Sequence, residues 1–132
     1  IAKDLPVVFP AHPRTQQRIS SFGLHTGRLR LLPPLPYVEF LALQSRAAAV
    51  ITDSGGIQEE TTYLGVPCLT VRESTERPIT VSLGTNILVG RDRNKLSLEL
   101  ANILQGCGKK GRVPPFWEGH TGERIADLLQ KM

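Results

Sequence analysis

The sequence predicts an α/β fold in which a parallel sheet is covered by helices on both faces. Five short apolar runs have the length of strands and end at Pro, Gly or polar residues. Between them lie segments whose apolar residues recur at helical spacing. Strands that alternate with helices favour parallel pairing, because a parallel connection has to cross back over the sheet.

Each predicted strand is an apolar run with a clear stop, such as the prolines that follow Leu32 or the glycine that follows Val89. The predicted strands are Leu5 to Phe9, Leu29 to Leu32, Ala47 to Thr52, Pro67 to Val71 and Ile87 to Val89. Arg72 to Pro78 is predicted to be a polar loop. In parallel sheets of this kind, ligands bind beyond the carboxyl ends of the strands.

The predicted helices are bounded by capping residues and glycines. Ser54 is the candidate N-cap of one helix, Asp92 or Asn94 of the next, and Thr121 of the last. The predicted helices are Thr15 to Phe22, Tyr37 to Gln44, Ser54 to Leu64, Leu96 to Leu104, and a last one through Ile125, Leu128 and Leu129. Ile1 to Asp4 resembles the tail of a helix whose start is missing, which suggests a domain truncated at its N-terminus.

Length and composition indicate one soluble domain. A chain of 132 residues suits a single core. Because it has neither a signal-peptide pattern nor an apolar run long enough to span a bilayer, we expect a cytoplasmic protein without membrane contact. The modest net charge of +4 and the few aromatics argue against nucleic acid as a partner. Cys68 and Cys107 are predicted to be reduced thiols.

The turn after the third predicted strand is a candidate phosphate site. Gly55 and Gly56 have no Cβ, so a ligand can approach their N–H groups at the positive end of a helix dipole. Glu60 stands one helical turn further on. A carboxylate at that position would repel a phosphate, but it can accept hydrogen bonds from the hydroxyls of a ribose. These residues therefore indicate a nucleotide. The alternative is that Asp-Ser-Gly-Gly only caps a helix, with Ser54 as the cap and the glutamates in solvent.

Other candidate sites leave alternatives open or fail on context. The loop from Arg72 to Arg77 has two open interpretations. One of its arginine guanidinium groups holds a diphosphate, or its charged residues form ion pairs at the surface. His12 follows a strand end, where it either donates to phosphate or packs. The spacing of the histidines argues against a metal site, and a serine hydrolase is rejected because the G-x-S-x-G nucleophile motif is absent around Ser54. Gly106 to Gly111 (GCGKKG) is predicted to be a flexible connection, because it follows a helix and lacks the Ser or Thr of a phosphate loop.

Three motifs in this order and spacing resemble the non-hydrolysing UDP-N-acetylglucosamine 2-epimerases. They are TDSGGIQEE (Thr52 to Glu60), LGVPCLTVRESTERP (Leu64 to Pro78) and GTNILVG (Gly84 to Gly90). FPAHPRT near the start and PFWEGHTGERIADLL near the end extend the resemblance over nearly the whole chain. It implies that residues 1–132 are most of the C-terminal, Rossmann-like, UDP-binding domain of a GT-B-type enzyme with two domains.

The resemblance implies that the enzyme inverts C2 of UDP-GlcNAc to give UDP-ManNAc by eliminating and re-adding UDP, without a cofactor. Ser54, Gly55 and Gly56 would hold the diphosphate and Glu60 the ribose. Further implied roles are charge stabilisation on departing UDP for Arg77, phosphate contact for His12, and a place near the uracil for Phe40. The N-terminal domain that carries the proton-transferring acids is missing, and the full-length enzyme would be a homodimer.

Two other functions share this nucleotide-binding half. A GT-B glycosyltransferase would transfer the sugar to an acceptor, although the TERP residues (Thr75 to Pro78) argue against it. A sensor of UDP-sugars would bind without catalysis, and only acids outside this chain would distinguish it from an enzyme. The chain also departs from the family after TERP, where many relatives have a TERPE form and this chain has Ile79 followed by Thr80.

Overall fold

The computed structural model describes residues 5–131, and within them strands and helices alternate. In chain order the elements are β1 (Val7–Pro10), α1 (Pro13–Ser21), β2 (Leu29–Leu32), α2 (Tyr37–Ser45), β3 (Val50–Thr52), α3 (Gly55–Leu64), β4 (Cys68–Thr70), α4 (Pro78–Ser82), β5 (Asn86–Leu88), α5 (Arg93–Leu104) and α6 (Thr121–Gln130). Each pairing between these strands is parallel. The chain therefore has the predicted α/β class. No helix in this part of the chain is both long enough and apolar enough to cross a membrane.

The chain divides into two compact units, one up to Leu43 and one from Gln44 onwards. In the first unit β1 pairs with β2, from Val7 opposite Leu29 to Pro10 opposite Leu32. The side-chain amide of Gln16, on α1, donates to the carbonyl oxygens of Ala11 at 3.0 Å and Leu32 at 3.1 Å. This side chain from the crossover helix thus binds the carbonyls at the carboxyl ends of both strands.

The second unit is built on a three-stranded sheet with the order β3-β4-β5. Its central strand, β4, is buried at every position. Leu69 of that strand packs with Val89 and Leu100 to form the core. Partly buried residues packed against this core are Ala49, Ile87, Leu96 and Ile103. Because Leu96, Leu100 and Ile103 lie at helical spacing on α5, that helix covers the sheet through one apolar face.

Helix α3 ends as the sequence predicts. Gly65 adopts the left-handed conformation, with φ of 71°, which costs glycine little because it has no Cβ. Its N–H bonds to the last helical turn, and the following residue, Val66, donates to the carbonyl of Thr61 at 2.9 Å. The chain is thereby turned from the helix into β4.

Several sequence predictions need correction. The five strands are divided between two sheets rather than one, because alternation indicates the direction of strands but not which of them pair. Helix α4 was not predicted, since five residues are too few for a periodic pattern. The last helix begins at Thr121 itself, so its N-cap is His120 and not Thr121. Of the two candidate caps for α5, Asp92 is the one that caps.

Two further expectations stay predictions. The helix tail expected at residues 1–4 lies outside the described residues. The assignment of residues 1–132 to a single UDP-binding domain is an expectation from length and resemblance, and the division into two units concerns compactness only.

Candidate functional site

The turn between β3 and α3 exposes the start of a helix. Ser54 is the N-cap, with extended backbone angles, and its N–H is held by the Thr52 hydroxyl at 3.1 Å. The Ser54 side chain, however, makes no capping hydrogen bond, so the predicted cap is wrong in this respect. Because the first N–H groups of a helix have no partner within it, those of Gly55 and Gly56 are left for an anion, with an exposed hydroxyl beside them.

The loop after β4 lies against this turn. β3 and β4 are parallel neighbours, so the segments that follow them begin at the same edge of the sheet. A Cβ on Gly55 would stand 3.3 Å from Oε1 of Glu76 and 4.0 Å from Cγ of Arg77. The structure therefore brings the predicted phosphate turn and Arg77 together.

Both arginines of the loop are paired with carboxylates. Arg72 contacts Glu76 at 3.0 Å, and Nε of Arg77 contacts Oε1 of Glu59 at 2.9 Å. A hydrogen bond from its own backbone, and then the Arg72 guanidinium, lower the pKa of Glu76. All four side chains are at least 38% exposed, so these pairs contribute little to stability and can be exchanged for a ligand.

Glu60 has a different partner from its neighbour Glu59. Its Oε2 accepts a hydrogen bond of 2.6 Å from the side-chain amide of Gln44, which is 3% exposed. Gln44 lies at the end of α2, 16 residues earlier, and sequence reasoning did not identify it. One carboxylate oxygen of Glu60 is thus held by the protein, which leaves the other to accept from a ligand hydroxyl.

Sequence reasoning also missed a set of polar residues behind the arginine loop. They are Gln58, Thr75, Thr80 and Asn86, which are linked by side-chain hydrogen bonds. Gln58, Thr80 and Asn86 are completely buried. A polar residue at the start of an apolar strand, such as Asn86, was a signal for such a site, but it does not indicate the partner.

The other two candidate residues, His12 and Phe40, lie in the first unit. His12 is exposed at the N-cap of α1, where its Nδ1 accepts from the N–H of Arg14 at 3.3 Å. That bond leaves Nε2 as the ring nitrogen able to donate to a phosphate. Phe40 is half-buried on α2. Their roles toward phosphate and uracil stay predictions.

The Gly106 to Gly111 segment is fastened to the fold rather than flexible as predicted. Nζ of Lys109 donates to the carbonyl oxygens of Val81 and, at 2.8 Å, Asn86. Partial burial lowers the pKa of this ammonium group. A Cβ on Gly111 would stand 2.4 Å from the backbone of Gly84, so the segment passes close to the start of β5. Lys109 thus binds main-chain carbonyls, which agrees with the rejection of a phosphate loop.

In the described part of the chain, histidine, cysteine and carboxylate side chains do not gather in groups of three or more that could hold a metal ion. Cys68 is buried and Cys107 exposed, and both are free thiols. Burial raises the pKa of the Cys68 thiol, against smaller opposing hydrogen bonds from Thr61 and Thr70.

Parallel strands that alternate with helices, with a glycine turn and an arginine loop at one sheet edge, define an α/β protein of the kind that binds ligands beyond its strand ends. Comparison with known proteins identifies the particular group. The chain belongs to the UDP-N-acetylglucosamine 2-epimerase family, whose profile matches residues 1–130. The family resemblance predicted from the motifs is confirmed.

Individual relatives support the same assignment. The chain is 41% identical over 131 residues to the UDP-N-acetylglucosamine 2-epimerase of Methanocaldococcus jannaschii, covering 96% of this chain and 35% of that protein. It is 37% identical over 127 residues to the UDP-2,3-diacetamido-2,3-dideoxy-D-glucuronate 2-epimerase of Pseudomonas aeruginosa, with 96% and 35% covered. The chain therefore spans about a third of the length of these relatives.

Solved structures of the family match the fold. The M. jannaschii enzyme in complex with UDP-GlcNAc and UDP is 40% identical with a TM-score of 0.79, and the match covers 98% of this chain and 37% of that one. The Neisseria meningitidis enzyme bound to UDP-GlcNAc is 30% identical with a TM-score of 0.77, covering 95% and 35%.

Proposed function

We propose that this chain is the UDP-binding part of an epimerase that interconverts UDP-GlcNAc and UDP-ManNAc at C2. The observation that carries the proposal is that Arg77 lies beside Gly55 at the start of α3, where a Cβ would stand 4.0 Å from Cγ of the arginine. A relative at 40% identity has been crystallised with UDP-GlcNAc and UDP, which supports a UDP-sugar as the ligand. The chain would then belong to the C-terminal half of a GT-B-type enzyme.

In this proposal the diphosphate binds at the start of α3. The N–H groups of Gly55 and Gly56 and the Ser54 hydroxyl donate to the phosphate oxygens, and the helix dipole favours their charge. Glu60 accepts from a ribose hydroxyl through the oxygen that Gln44 does not hold. The motif match alone adds His12 at the phosphates and Phe40 at the uracil.

Arg77 supports the chemical step by stabilising departing UDP. Loss of the C2 proton and cleavage of the bond from C1 to UDP leave an enol-ether sugar, and both electrons of the broken bond go to the UDP oxygen. A fixed guanidinium beside the diphosphate stabilises that developing charge. Re-addition of UDP, with a proton delivered to the other face of C2, completes the inversion. The groups that move these protons belong to the part of the enzyme outside this chain.

The experiment is steady-state kinetics of the full-length enzyme with Arg77→Ala. If the guanidinium acts mainly in the transition state, kcat falls by a larger factor than KM rises. Arg93→Ala, which removes an exposed arginine at the start of α5, is the control and should keep both values. A change confined to KM would reduce Arg77 to a ground-state diphosphate contact.

The same assay identifies the sugar. Following C2 stereochemistry by NMR with UDP-GlcNAc and with the UDP-2,3-diacetamido sugar named for the P. aeruginosa relative compares the two substrate classes directly. We expect turnover of UDP-GlcNAc. Turnover of the diacetamido sugar alone would leave the reaction type intact and replace the substrate.

A further inference from the structure

The main chain of Arg77 is held on both sides by threonine hydroxyls. Its N–H donates to Oγ1 of Thr75 at 2.9 Å, and its carbonyl accepts from Oγ1 of Thr80 at 2.7 Å. The N–H of Thr80 donates to the same carbonyl at 3.0 Å. Arg77 is the N-cap of α4, so local threonine hydroxyls hold the main chain at the point where the arginine loop enters that helix.

These hydroxyls belong to a closed circuit, which we call the polar ring: Gln58, Thr75, Arg77, Thr80 and Asn86. The Thr75 hydroxyl donates to Oε1 of Gln58 at 2.6 Å. The side-chain amide of Asn86 donates to that same oxygen and to Oγ1 of Thr80, each at 3.0 Å. Each hydroxyl thus donates once and accepts once, and both amide hydrogens of Asn86 are used.

The polar ring fixes Arg77 relative to the phosphate turn. Gln58 lies on α3, three residues after Gly55, and Asn86 opens β5. Oδ1 of Asn86 in turn accepts from the hydroxyl of Thr70, on β4, at 2.6 Å. The loop arginine is therefore bound, through buried side chains, to the helix that presents the glycine amides and to the sheet beneath it.

Stability alone gives little reason for such a circuit. When buried hydroxyl and amide groups are replaced together by apolar groups of the same shape, the protein loses little or no stability. Apolar packing, however, does not fix the direction of a main chain at the surface. Since the partly exposed ion pair between Arg77 and Glu59 can be exchanged for a ligand, the position of the Arg77 backbone decides where the released guanidinium can reach.

We propose that the polar ring is a positioning device that sets the reach of the Arg77 guanidinium over the phosphate turn, with Thr75 and Thr80 as positioning residues. This inference rests on the proposed role of Arg77 in the departure of UDP. A displacement of a reacting group by about 1 Å can cost as much as about a hundredfold in rate, so loss of a ring hydroxyl should appear in kcat.

Valine and serine substitutions in the full-length enzyme separate positioning from packing. Thr80→Val keeps the shape and removes the hydroxyl, and Thr80→Ser does the opposite. We expect Thr80→Val to lower kcat about tenfold while KM changes less than about twofold, and Thr80→Ser to retain most of kcat. Thr85→Val is the matched control, because the Thr85 hydroxyl is buried beside Asn86 without a hydrogen-bond partner. Its kcat should equal that of the wild type.

Thr75→Val is the second variant, and it keeps the test decisive if Thr80→Val fails to fold, since Thr75 is only half-buried. Thermal unfolding is measured for every variant, so that kinetics are compared between folded proteins. If Thr75→Val and Thr80→Val unfold near the wild-type temperature and keep the wild-type kcat, the inference is wrong.

Combination with Arg77→Ala shows whether the ring acts through the arginine. In that background Thr75→Val or Thr80→Val should lower kcat no further, because a positioning residue has nothing left to position. If the factors by which the two substitutions lower kcat multiply in the double variant, the inference is wrong, although the role of Arg77 stands. An unchanged kcat in Arg77→Ala itself would overturn the role of Arg77, and the inference with it.

Discussion

The adjacent glutamates in the second turn of α3 have different partners. Glu59 neutralises Arg77, and Glu60 is oriented by Gln44. A carboxylate close to the phosphate turn would repel a diphosphate if it faced it. In the proposed complex, one Glu60 oxygen is bound to the buried amide of Gln44 and the other accepts from a ribose hydroxyl, so that its negative charge is tolerated one helical turn from the diphosphate.

Glu60→Ala tests this assignment through the ribose. We expect UDP affinity to fall by about 1 to 3 kcal/mol, the scale of a hydrogen bond to a charged group. Isothermal calorimetry with UDP and 2′-deoxy-UDP measures it, and any preference of the wild type for the ribose form should shrink in the variant. Glu99→Ala on α5 is the control for loss of a charge.

The direction of the change in UDP affinity in Glu60→Ala distinguishes a ribose contact from simple charge repulsion. If Glu60 does not contact the ribose, removal of its charge from beside the diphosphate would leave UDP affinity unchanged or raise it, because only repulsion would be lost.

At the residue scale, local chemistry was predictable and long-range partners were not. Ser54, Gly55 and Gly56 were recognisable because helix starts and glycine turns are determined by consecutive residues. Gln44 and Asn86 reach their partners over 16 and 28 residues. Nothing in a single sequence links such positions, so the partner of Glu60 and the polar ring emerged only from the structure.

At the element scale, α3 and α5 begin in contrasting ways. The carboxylate of Asp92 accepts from the N–H groups of Asn94 at 2.8 Å and Lys95 at 3.0 Å, which satisfies the first turn of α5. At α3 the Ser54 hydroxyl makes no such bond. The start of α5 is thus capped by a side chain, and the start of α3 is not.

This contrast predicts a crossed result for a pair of alanine variants. Asp92→Ala should cost about 1 kcal/mol of unfolding free energy and leave UDP binding unchanged, because the cap that is lost belongs to α5, to which the proposal assigns no ligand contact. Ser54→Ala should leave the unfolding free energy nearly unchanged and weaken UDP binding. Urea unfolding and calorimetry on both variants provide the comparison. A loss of stability in Ser54→Ala with normal UDP affinity would make Ser54 a simple cap.

The elements themselves were predictable to different degrees. β2 has the predicted residues, and α3 ends at the predicted glycine, because both have strong local stops. The short α4 gave no periodic signal, and the pairing of strands into two sheets depends on contacts between distant segments. Local stops can be found in the sequence, whereas pairing follows from packing.

At the scale of the whole molecule, the chain spans about a third of its relatives, so binding and catalysis can be separated. We expect the 132-residue chain to lack epimerase activity, because the proposed proton-transferring acids lie outside it. Incubation with UDP-GlcNAc, with C2 stereochemistry followed by NMR, checks this expectation against the full-length enzyme as control. Turnover by the 132-residue chain would show that its own residues move the protons.

The central claim is that UDP binds through its diphosphate at the start of α3. Titration of the isotope-labelled chain with UDP, followed by backbone amide NMR, tests it most directly. We expect the largest shifts at Ser54, Gly55 and Gly56, with smaller ones near Arg77, and we expect Ser54→Ala to weaken the same response. Saturating shifts confined to other residues, with the glycine amides unmoved, would contradict it.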